Sequence, residues 1–286
     1  MVALTSAADS TTITRRTFLG TVGTGAAALV LPRRTAVTGE QPLLRAAWLS
    51  DAHLLDPDLN DSFASCFESS VFAVNSLDPH PDFVVFGGDL AHVSNPAALA
   101  RGIKILAKLK APLRPVAGEH DWYLDLGVAW EKHFGQSFYS FTCRGVFCVV
   151  VNTVVQDDFW TQSRLDSRGR MLAAAGLGGE EGRSFGLDQN QRDWLAEELA
   201  PHSPDEPIVV FAHSAAAELR TILRPFRLAI VIHGHNHDSR SGRLGGTRFQ
   251  SMLSTAWPMA EETRCGFGII EVRSCGIASV THVVSG

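Results

Sequence analysis

The fold is decided by residues 82–89, DFVVFGGD, in which an apolar run ends at two glycines and Asp89. A short apolar run bounded by glycine predicts a buried strand, and glycine at the turn lets the backbone approach a site closely. Residues 43–51, LLRAAWLSD, repeat the pattern, because this apolar run also ends at an aspartate, Asp51. Open α/β sheets place their ligands just past the carboxyl ends of such strands.

Three further apolar runs are followed by polar groups of the same kind. They end before Gly118-Glu119-His120-Asp121, at His213, and before Gly234-His235-Asn236-His237. With Asp51-Ala52-His53 and Gly88-Asp89 they make five clusters in a fixed order. Carboxylate oxygen and neutral imidazole suit Zn, Fe and Mn, and a divalent ion can turn water into a nucleophile at neutral pH. The ordered set predicts a two-metal hydrolytic centre.

The segments between these clusters carry helical patterns. Apolar residues recur at spacings of three or four within residues 63–74, 99–106 and 194–199, which predicts three helices. Asn95-Pro96 would begin the second helix, and Asp188 with Gln191 resembles a capping box that begins the third. Because strands and helices alternate, the sheet should contain parallel strand pairs.

The carboxyl-terminal third lacks helical patterns. Residues 246–254, 266–272 and 278–284 read as successive strands, and residues 137–143 and 146–153 read as a hairpin. A mixed sheet is therefore expected.

The ordered motifs resemble those of the calcineurin-like metallophosphoesterases. That family's pattern is D-x-H, G-D, G-N-H-D/E, H and G-H-x-H, and the chain matches it at every step but one between residues 45 and 237. The motifs are specific as a set, whereas D-x-H alone carries almost no information. The resemblance implies an α/β fold, a two-sheet mixed β-sandwich flanked by helices, and a metal-dependent phosphoric ester hydrolase.

The resemblance also implies a role for each matching residue. One metal would be held by Asp51, His53 and His237, and the other by residue 119, His213 and His235, with Asp89 bridging the two. His120 would be the histidine that is not a ligand and lies beside the leaving group. Asp121 would hydrogen-bond the His120 imidazole and orient it. Two divalent or trivalent ions are implied, with Fe, Mn and Zn as candidates.

Glu119 is the one departure, because the family has asparagine at this place. A carboxylate adds a negative charge and one methylene of reach to a ligand that is otherwise neutral. Binding of the second metal by Glu119 is favoured, since carboxylates are ordinary ligands for these ions. In the alternative, Glu119 points away and the second site keeps only three protein ligands.

Two other histidines, His92 and His233, lie close to the motifs in sequence. Outer-shell partners of metal ligands are common, so either histidine is a candidate to support the ligands.

The favoured function is hydrolysis of a small phosphomonoester or phosphodiester by attack of a metal-bound hydroxide, with a cyclic nucleotide as one candidate substrate. His120 would donate a proton to the leaving alcohol or stabilise it. The alternative is a metal-binding protein of the same fold with little or no turnover, which only Glu119 favours. His120 argues against this alternative, because a protein that merely holds metals has no need of it.

Residues 156–187 have no clear periodicity and are rich in Gly, Asp and Arg. Loops of this length inside a compact domain are either functional lids or disordered, and both readings stay open. Candidate phosphate contacts are Arg164, Arg168, Arg170 and Arg183, and candidate stacking residues are Trp122, Tyr123 and Trp160.

The amino terminus resembles a twin-arginine export signal. Residues 14–20, TRRTFLG, precede an apolar stretch, residues 21–31, that is too short and too rich in glycine for an ordinary membrane span. Residues 1–36 are therefore predicted to be a signal segment that the export machinery recognises through residues 14–31, and residues 37–286 the metallophosphoesterase domain. The expected location is periplasmic, secreted or, if the signal is retained, tethered to the membrane.

Composition limits the remaining possibilities. Without residues 1–36, which carry a net charge of +3, the net charge would change from −5 to −8, which argues against a nucleic-acid-binding surface. Cys143 and Cys148 flank the turn of the predicted hairpin and could pair, as could Cys265 and Cys275. Buried free thiols are the favoured state of most of the five cysteines.

Overall fold

The computed structural model describes residues 41–59, 62–92, 95–122, 125–154, 166, 170, 185–257, 266–274 and 278–284. The strands of these residues are β1 (Leu44–Leu49), β2 (Phe83–Phe86), β3 (Leu113–Pro115), β4 (Tyr139–Cys143), β5 (Val146–Val150), β6 (Ile208–Ala212), β7 (Ala229–His233), β8 (Ser241–Leu244), β9 (Thr247–Ser251), β10 (Gly266–Val272) and β11 (Ala278–Val284). The helices are α1 (Ser62–Asn75), α2 (Pro96–Leu106), α3 (Glu119–Trp122), α4 (Val128–Phe134), α5 (Gln189–Leu199) and α6 (Ala217–Ile222).

The first sheet has the strand order β11-β10-β1-β2-β3. Strands β1, β2 and β3 are parallel, while β10 pairs with β1 and β11 in antiparallel fashion. The carboxyl ends of the three parallel strands therefore meet at one edge, where Asp51, Asp89 and Glu119 follow them.

The second sheet has the order β4-β5-β6-β7-β9-β8. Its four central strands are parallel, and the outer strands β4 and β8 are antiparallel to their neighbours. His213 directly follows β6, and His235 follows β7 after a one-residue turn. The predicted fold class, two mixed sheets flanked by helices, is confirmed.

The two sheets pack face to face through large apolar side chains. Trp48 and Phe83 of the first sheet meet Phe211 of the second at ring-centroid distances of 6.2 and 6.1 Å. Helices α1 and α2 cover the outer face of the first sheet, and α5 and α6 cover the outer face of the second. Burial on both faces explains why the central strands are apolar along their whole length.

The predicted helix starts are present, with one difference. The Asn95 carboxamide oxygen accepts hydrogen bonds from the N–H groups of Ala97 and Ala98, and Pro96 is the first residue of α2. Asp188 accepts from the N–H of Gln191, but the Gln191 amide does not complete a capping box. It instead binds both backbone groups of Asn152, each at 2.9 Å, and so fixes the loop after β5.

The carboxyl-terminal strands and the β4–β5 hairpin lie within the predicted stretches. Strand β8 was missed, because all four of its residues are exposed and it therefore has no apolar alternation. It pairs with β9 through Gly245-Gly246, whose φ values of 59° and 98° are ones that glycine adopts without strain.

The suggested pairing of Cys143 with Cys148 is wrong, since both are free thiols, as is Cys66. In the hairpin Cys143 lies opposite Val146, and Cys148 lies opposite Phe141, so the two cysteines do not face each other. Cys265 and Cys275 lie outside the described residues.

No helix in the described ranges is both long and apolar enough to cross a membrane. The predicted signal segment, residues 1–36, lies outside the described residues, as does most of the suggested lid. The undescribed part of the lid includes four sequence candidates, Arg164, Arg168, Arg183 and Trp160. Tyr123 also lies outside the described residues.

Candidate active site

The loops that follow the strands are held together by backbone hydrogen bonds. The N–H groups of Asp51 and His53 each donate to a carbonyl of the Gly88-Asp89 segment, both at 2.9 Å, and Gly234 N–H donates to the His213 carbonyl at 2.9 Å. A side chain on Gly118 or Gly234 would collide with Asp89 or Asp51, respectively. Glycine at these two places therefore lets neighbouring loops approach closely enough to share one site.

The backbone at the predicted ligands is unusual. Seven non-glycine residues of the described chain have a positive φ, and five of them are predicted ligands. These five are Asp51 (55°), His53 (43°), Asp89 (58°), His235 (64°) and His237 (53°). A residue held in this region costs about 1–3 kcal/mol. Such strain persists only where the surrounding structure imposes it, and it marks this edge of the sandwich as a functional site.

Three of the predicted ligands, Asp51, His53 and His237, form what we call the first half-site. The Nε2 atoms of His53 and His237 are 3.2 Å apart, and His237 Nε2 lies 3.2 Å from Asp51 Oδ1. His237 Nδ1 lies 2.8 Å from the Trp257 carbonyl, which can only accept, so Nδ1 carries the proton. The neutral ring then presents the Nε2 lone pair to the half-site, as a metal ligand requires.

Glu119, His213 and His235 form the second half-site. Glu119 Oε2 is 2.8 Å from His213 Nε2, and Glu119 Oε1 is 2.9 Å from His235 Nδ1. His213 Nδ1–H donates to the Gly87 carbonyl at 2.7 Å, which turns Nε2 towards Glu119. Glu119 is 5% exposed and points into the site. The alternative in which Glu119 points away therefore does not describe this structure.

Asp89 lies between the two half-sites. Its Oδ2 atom is 3.6 Å from His53 Nε2 of the first half-site and 3.3 Å from His213 Nε2 of the second. Its Oδ1 atom accepts the His120 N–H at 2.9 Å, which fixes the carboxylate in this orientation. One oxygen is thus in position to serve both half-sites.

The residues of the site fit metal ions. The carboxylates of Asp51, Asp89 and Glu119 are 0–5% exposed, and no described lysine or arginine pairs with any of them. A buried charge is expensive unless it is paired or coordinates a metal. His213 Nε2 and Glu119 Oε2 are buried without a well-directed hydrogen bond among the described residues, although they converge to 2.8 Å. Ligand atoms around one ion at about 2 Å lie at similar mutual distances.

The carboxylates and imidazoles of the site shift one another's pKa values. Burial works to raise the pKa of Glu119, but His235 and His213 outweigh it and hold that pKa well below its usual range. Burial works to lower the pKa of His213, but Asp89 and Glu119 raise it well above its usual value. The raised pKa of His213 reflects the position of its Nε2 atom between two carboxylates, a place that also suits a cation.

His120 lies at the side of the site that neither half-site fills. Its Nε2 atom is 4.0 Å from Asp89 Oδ2, and its side chain is 17% exposed. The His92 ring stacks on it at 5.0 Å with an interplanar angle of 25°. Burial, and then the charge of His120, lowers the pKa of His92 to about 4, so His92 is neutral at pH 7.

The contacts of Asp121 differ from the prediction. Its Oδ2 atom accepts the N–H groups of Asp89 and Gly118 at 2.8 and 3.0 Å, and its Oδ1 atom accepts that of Leu90 at 2.9 Å. Its hydrogen bonds do not include one to the His120 imidazole. Asp121 therefore ties together the loops after β2 and β3, which carry Asp89 and Glu119.

The segment Ser254–Trp257 is a supporting element that the sequence did not reveal. Ser254 Oγ donates to the Asp51 carbonyl at 2.8 Å and accepts the Trp257 N–H at 2.7 Å. Thr255 exchanges two hydrogen bonds with Ser50. The residues Ser-Thr-Ala-Trp contain no metal ligand and no ligand spacing, so only the folded chain shows that they brace the loop after β1.

Four of the other sequence candidates belong to the described residues, and one of them, Arg170, is 8% exposed. His92 contacts His120 and lies edge-on to His53, whereas His233 is 5% exposed and its ring nitrogen lies 3.2 Å from the Gly234 carbonyl. Trp122 is 6% exposed and packs in the core beneath the first sheet, so it is not available to stack on a substrate.

Comparisons with known proteins agree with this geometry. A curated relative, the probable cyclic nucleotide phosphodiesterase of Rhodococcus erythropolis (strain PR4 / NBRC 100887), is 26% identical over 232 residues, which are 73% of this chain and 70% of the relative. A putative 5'-nucleotidase from Staphylococcus aureus superposes with a TM-score of 0.50 at 12% identity, covering 85% of this chain and 54% of that one. The sulfate thiohydrolase SoxB of Thermus thermophilus gives 0.52 at 12% identity, covering 87% and 58%.

The two structures share the fold, and the chain spans little more than half of each. The family model of the calcineurin-like phosphoesterases matches residues 44–239, which include every predicted ligand. The chain belongs to the calcineurin-like phosphoesterase family, and it is a metal-dependent phosphoric ester hydrolase.

Proposed function

We propose that the protein hydrolyses a small phosphate ester at a centre of two metal ions held by the two half-sites. The observation that carries the proposal is the position of Asp89 Oδ2, which lies 3.6 and 3.3 Å from one imidazole of each half-site and 4.0 Å from His120 Nε2. Ligands for two ions and a proton donor thus surround one atom.

Each group of the chain has a distinct task in this proposal. The first half-site would hold one ion through Asp51, His53 and His237. The second half-site would hold the other ion through Glu119, His213 and His235, and Asp89 would bind both ions. A pair of such ions supplies Lewis acidity and an activated water at neutral pH. The chain's own contribution is His120, whose Nε2–H donates a proton to the leaving oxygen as the bond from phosphorus to that oxygen breaks and a bond from phosphorus to the water oxygen forms.

The substrate class is a phosphomonoester or phosphodiester. A diester is favoured by the name of the Rhodococcus relative, a probable cyclic nucleotide phosphodiesterase. A cyclic nucleotide is therefore the first substrate to be tested, ahead of other diesters and of monoesters.

The experiment is a hydrolysis screen of the purified protein with Mn²⁺, Zn²⁺ or Fe added singly. Cyclic nucleotides, bis(p-nitrophenyl) phosphate and p-nitrophenyl phosphate are compared, with chelator-treated protein as the control. We expect turnover that chelation removes and added metal restores. A metal-loaded protein that hydrolyses none of these esters would support the alternative, a metal-binding protein of the same fold with little turnover.

We further propose that the twin-arginine segment directs export of the folded protein. The support is the sequence of residues 14–20, TRRTFLG, before a modest apolar stretch. Replacing Arg15 and Arg16 by lysine keeps the charge, so a fall in exported protein with undiminished activity in the cell extract is expected. Equal export of the double variant and the wild type would refute the proposal.

A further inference from the structure

A continuous series of aromatic rings leads from helix α1 to His120. Phe63 stacks on Trp257 at a centroid distance of 5.3 Å and an interplanar angle of 15°. Trp257 contacts His92 at 4.6 Å, and His92 stacks on His120 at 5.0 Å. We call Phe63, Trp257 and His92 the ring wall.

The ring wall borders the site on the side of the proton donor. Phe63, His92 and Trp257 are all partly exposed, whereas His53, which Trp257 meets edge-on at 4.8 Å, is only 4% exposed. His53 is therefore covered, while the three rings of the ring wall are partly exposed. A leaving group that accepts a proton from His120 would lie next to the His92 ring, which stacks on His120.

The side chain of Trp257 is not what holds the ligand loop. The His237 ring is fixed by the Trp257 carbonyl, and the Trp257 N–H is bound by Ser254 Oγ. Both contacts are made by backbone atoms, which any residue at this position would supply. The indole ring does not hold this loop by hydrogen bonds; it contacts the predicted ligand His53 only by its edge-on ring packing.

We propose that the ring wall is a leaving-group subsite, which selects phosphate esters whose leaving group carries a planar aromatic ring. Such rings prefer offset or edge-to-face contacts with other aromatic rings, and these contacts stabilise beyond the apolar area that they bury. The inference rests on the proposed function, because it takes His120 as the group that meets the leaving oxygen.

The opposite side of the site offers a matched control. Phe185 meets His235 of the second half-site at 4.6 Å, edge-on, so it is also an aromatic ring beside a metal-site imidazole. Its ring contact within the described part of the chain is with His235, and the ring contacts of His120 are with His53 and His92. Loss of this ring should affect aryl and alkyl esters alike.

The test compares Trp257→Leu with the wild type on phenyl phosphate and on ethyl phosphate, by phosphate release. For each ester, kcat/KM of the variant is divided by kcat/KM of the wild type, so the different intrinsic reactivities of the two esters do not affect the comparison. Trp257→Leu should lose about threefold to tenfold more kcat/KM on the aryl ester, mostly in KM, which is the range that a ring–ring contact supplies. Trp257→Phe should recover most of this loss, and Phe185→Leu should show no such difference. Equal losses on both esters, at unchanged metal content, would overturn the proposal.

A binding measurement separates this inference from the proposed function. Phenylphosphonate and ethylphosphonate are titrated by calorimetry into metal-loaded wild type and Trp257→Leu. Tighter binding of the aryl compound, lost in the variant, would support the subsite even if no ester were hydrolysed. Equal affinities of the wild type for both compounds would contradict it, whatever the turnover.

Discussion

The two half-sites differ in how they are enclosed, although each contains one carboxylate and two imidazoles. The first is sealed, with Asp51, His53 and His237 at 0–5% exposure and aromatic rings packed against it. The second is more open, because the His235 side chain is 31% exposed. If the proposed centre forms, metal exchange and substrate entry should be easier at the second half-site.

The two half-sites nevertheless carry the same number of carboxylates, because Glu119 supplies one to the second half-site. With asparagine at this position, as in the family pattern, the second half-site would have no carboxylate of its own. In the proposed centre each ion would have one carboxylate of its own, Asp51 or Glu119, and would share Asp89. Glu119 would then strengthen binding at the second half-site and reduce the Lewis acidity of its ion, since anionic ligands reduce the effective charge of a metal.

The largest effect is expected from Asp89→Ala, because this residue serves both half-sites. Both ions should be lost or bound weakly, and activity should fall to background. The contribution of bound metal to the free energy of unfolding should be lost too. For one site this contribution is about 2.7 kcal/mol when free metal is at 100 times the dissociation constant. Elemental analysis and thermal unfolding with and without metal measure these changes. Two ions at full occupancy in this variant would show that Asp89 does not bridge.

His120→Ala should abolish most activity without loss of metal. Its removal leaves both half-sites complete, so turnover should fall by about 10²- to 10⁴-fold, the usual contribution of a general acid. His53→Ala is the matched control, since His53 Nε2 is 3.6 Å from the same Asp89 oxygen but belongs to a half-site. We expect metal content to fall in His53→Ala and to stay unchanged in His120→Ala. Loss of metal in both would make His120 a ligand.

Much of this centre could be predicted from the sequence, because its ligands follow apolar strands in the family's order. The strands that precede Asp51, Asp89 and His213 in the sequence indicated where these residues would lie. In the structure, the ends of these strands come together. The site's supports could not be predicted. Ser254 and Thr255 reach the loop after β1 through ordinary hydrogen bonds to Asp51 and Ser50, which lie 203 and 205 residues away in the chain.

The three backbone contacts of Asp121 were not predicted either, for a related physical reason. A carboxylate can accept from an imidazole or from backbone N–H groups, and the choice depends on where the loops lie. Strand β8 was missed because pairing of an exposed hairpin leaves no apolar pattern.

Glu119→Asn should change metal affinity at the second half-site but not at the first. Loss of the Glu119 carboxylate should weaken binding of the ion at the second half-site. Removal of a residue that only supports a metal ligand lowers metal affinity by roughly 10- to 100-fold, and removal of a ligand should cost at least as much. Binding of the other ion should change little. Competition with a chelator of known affinity measures both constants. Unchanged affinity at both half-sites would mean that Glu119 is not a ligand.

Asp121→Asn should have the smallest effect, on stability more than on activity. An amide offers one acceptor oxygen and an NH₂ group that faces backbone donors, so at least one buried N–H loses its partner at a cost of about 1–3 kcal/mol. Thermal unfolding of the metal-free protein measures this, and metal content should be retained. An unchanged melting temperature with lost turnover would instead favour the originally expected role, orientation of His120.

The central claim is that Glu119 completes a second half-site, so that one chain holds two ions. Metal stoichiometry tests it most directly, by elemental analysis of wild type and Glu119→Ala after saturation with Mn²⁺ or Zn²⁺ and removal of the excess. The account predicts two ions per chain in the wild type and one in the variant. One ion in the wild type, or two in both proteins, would contradict it.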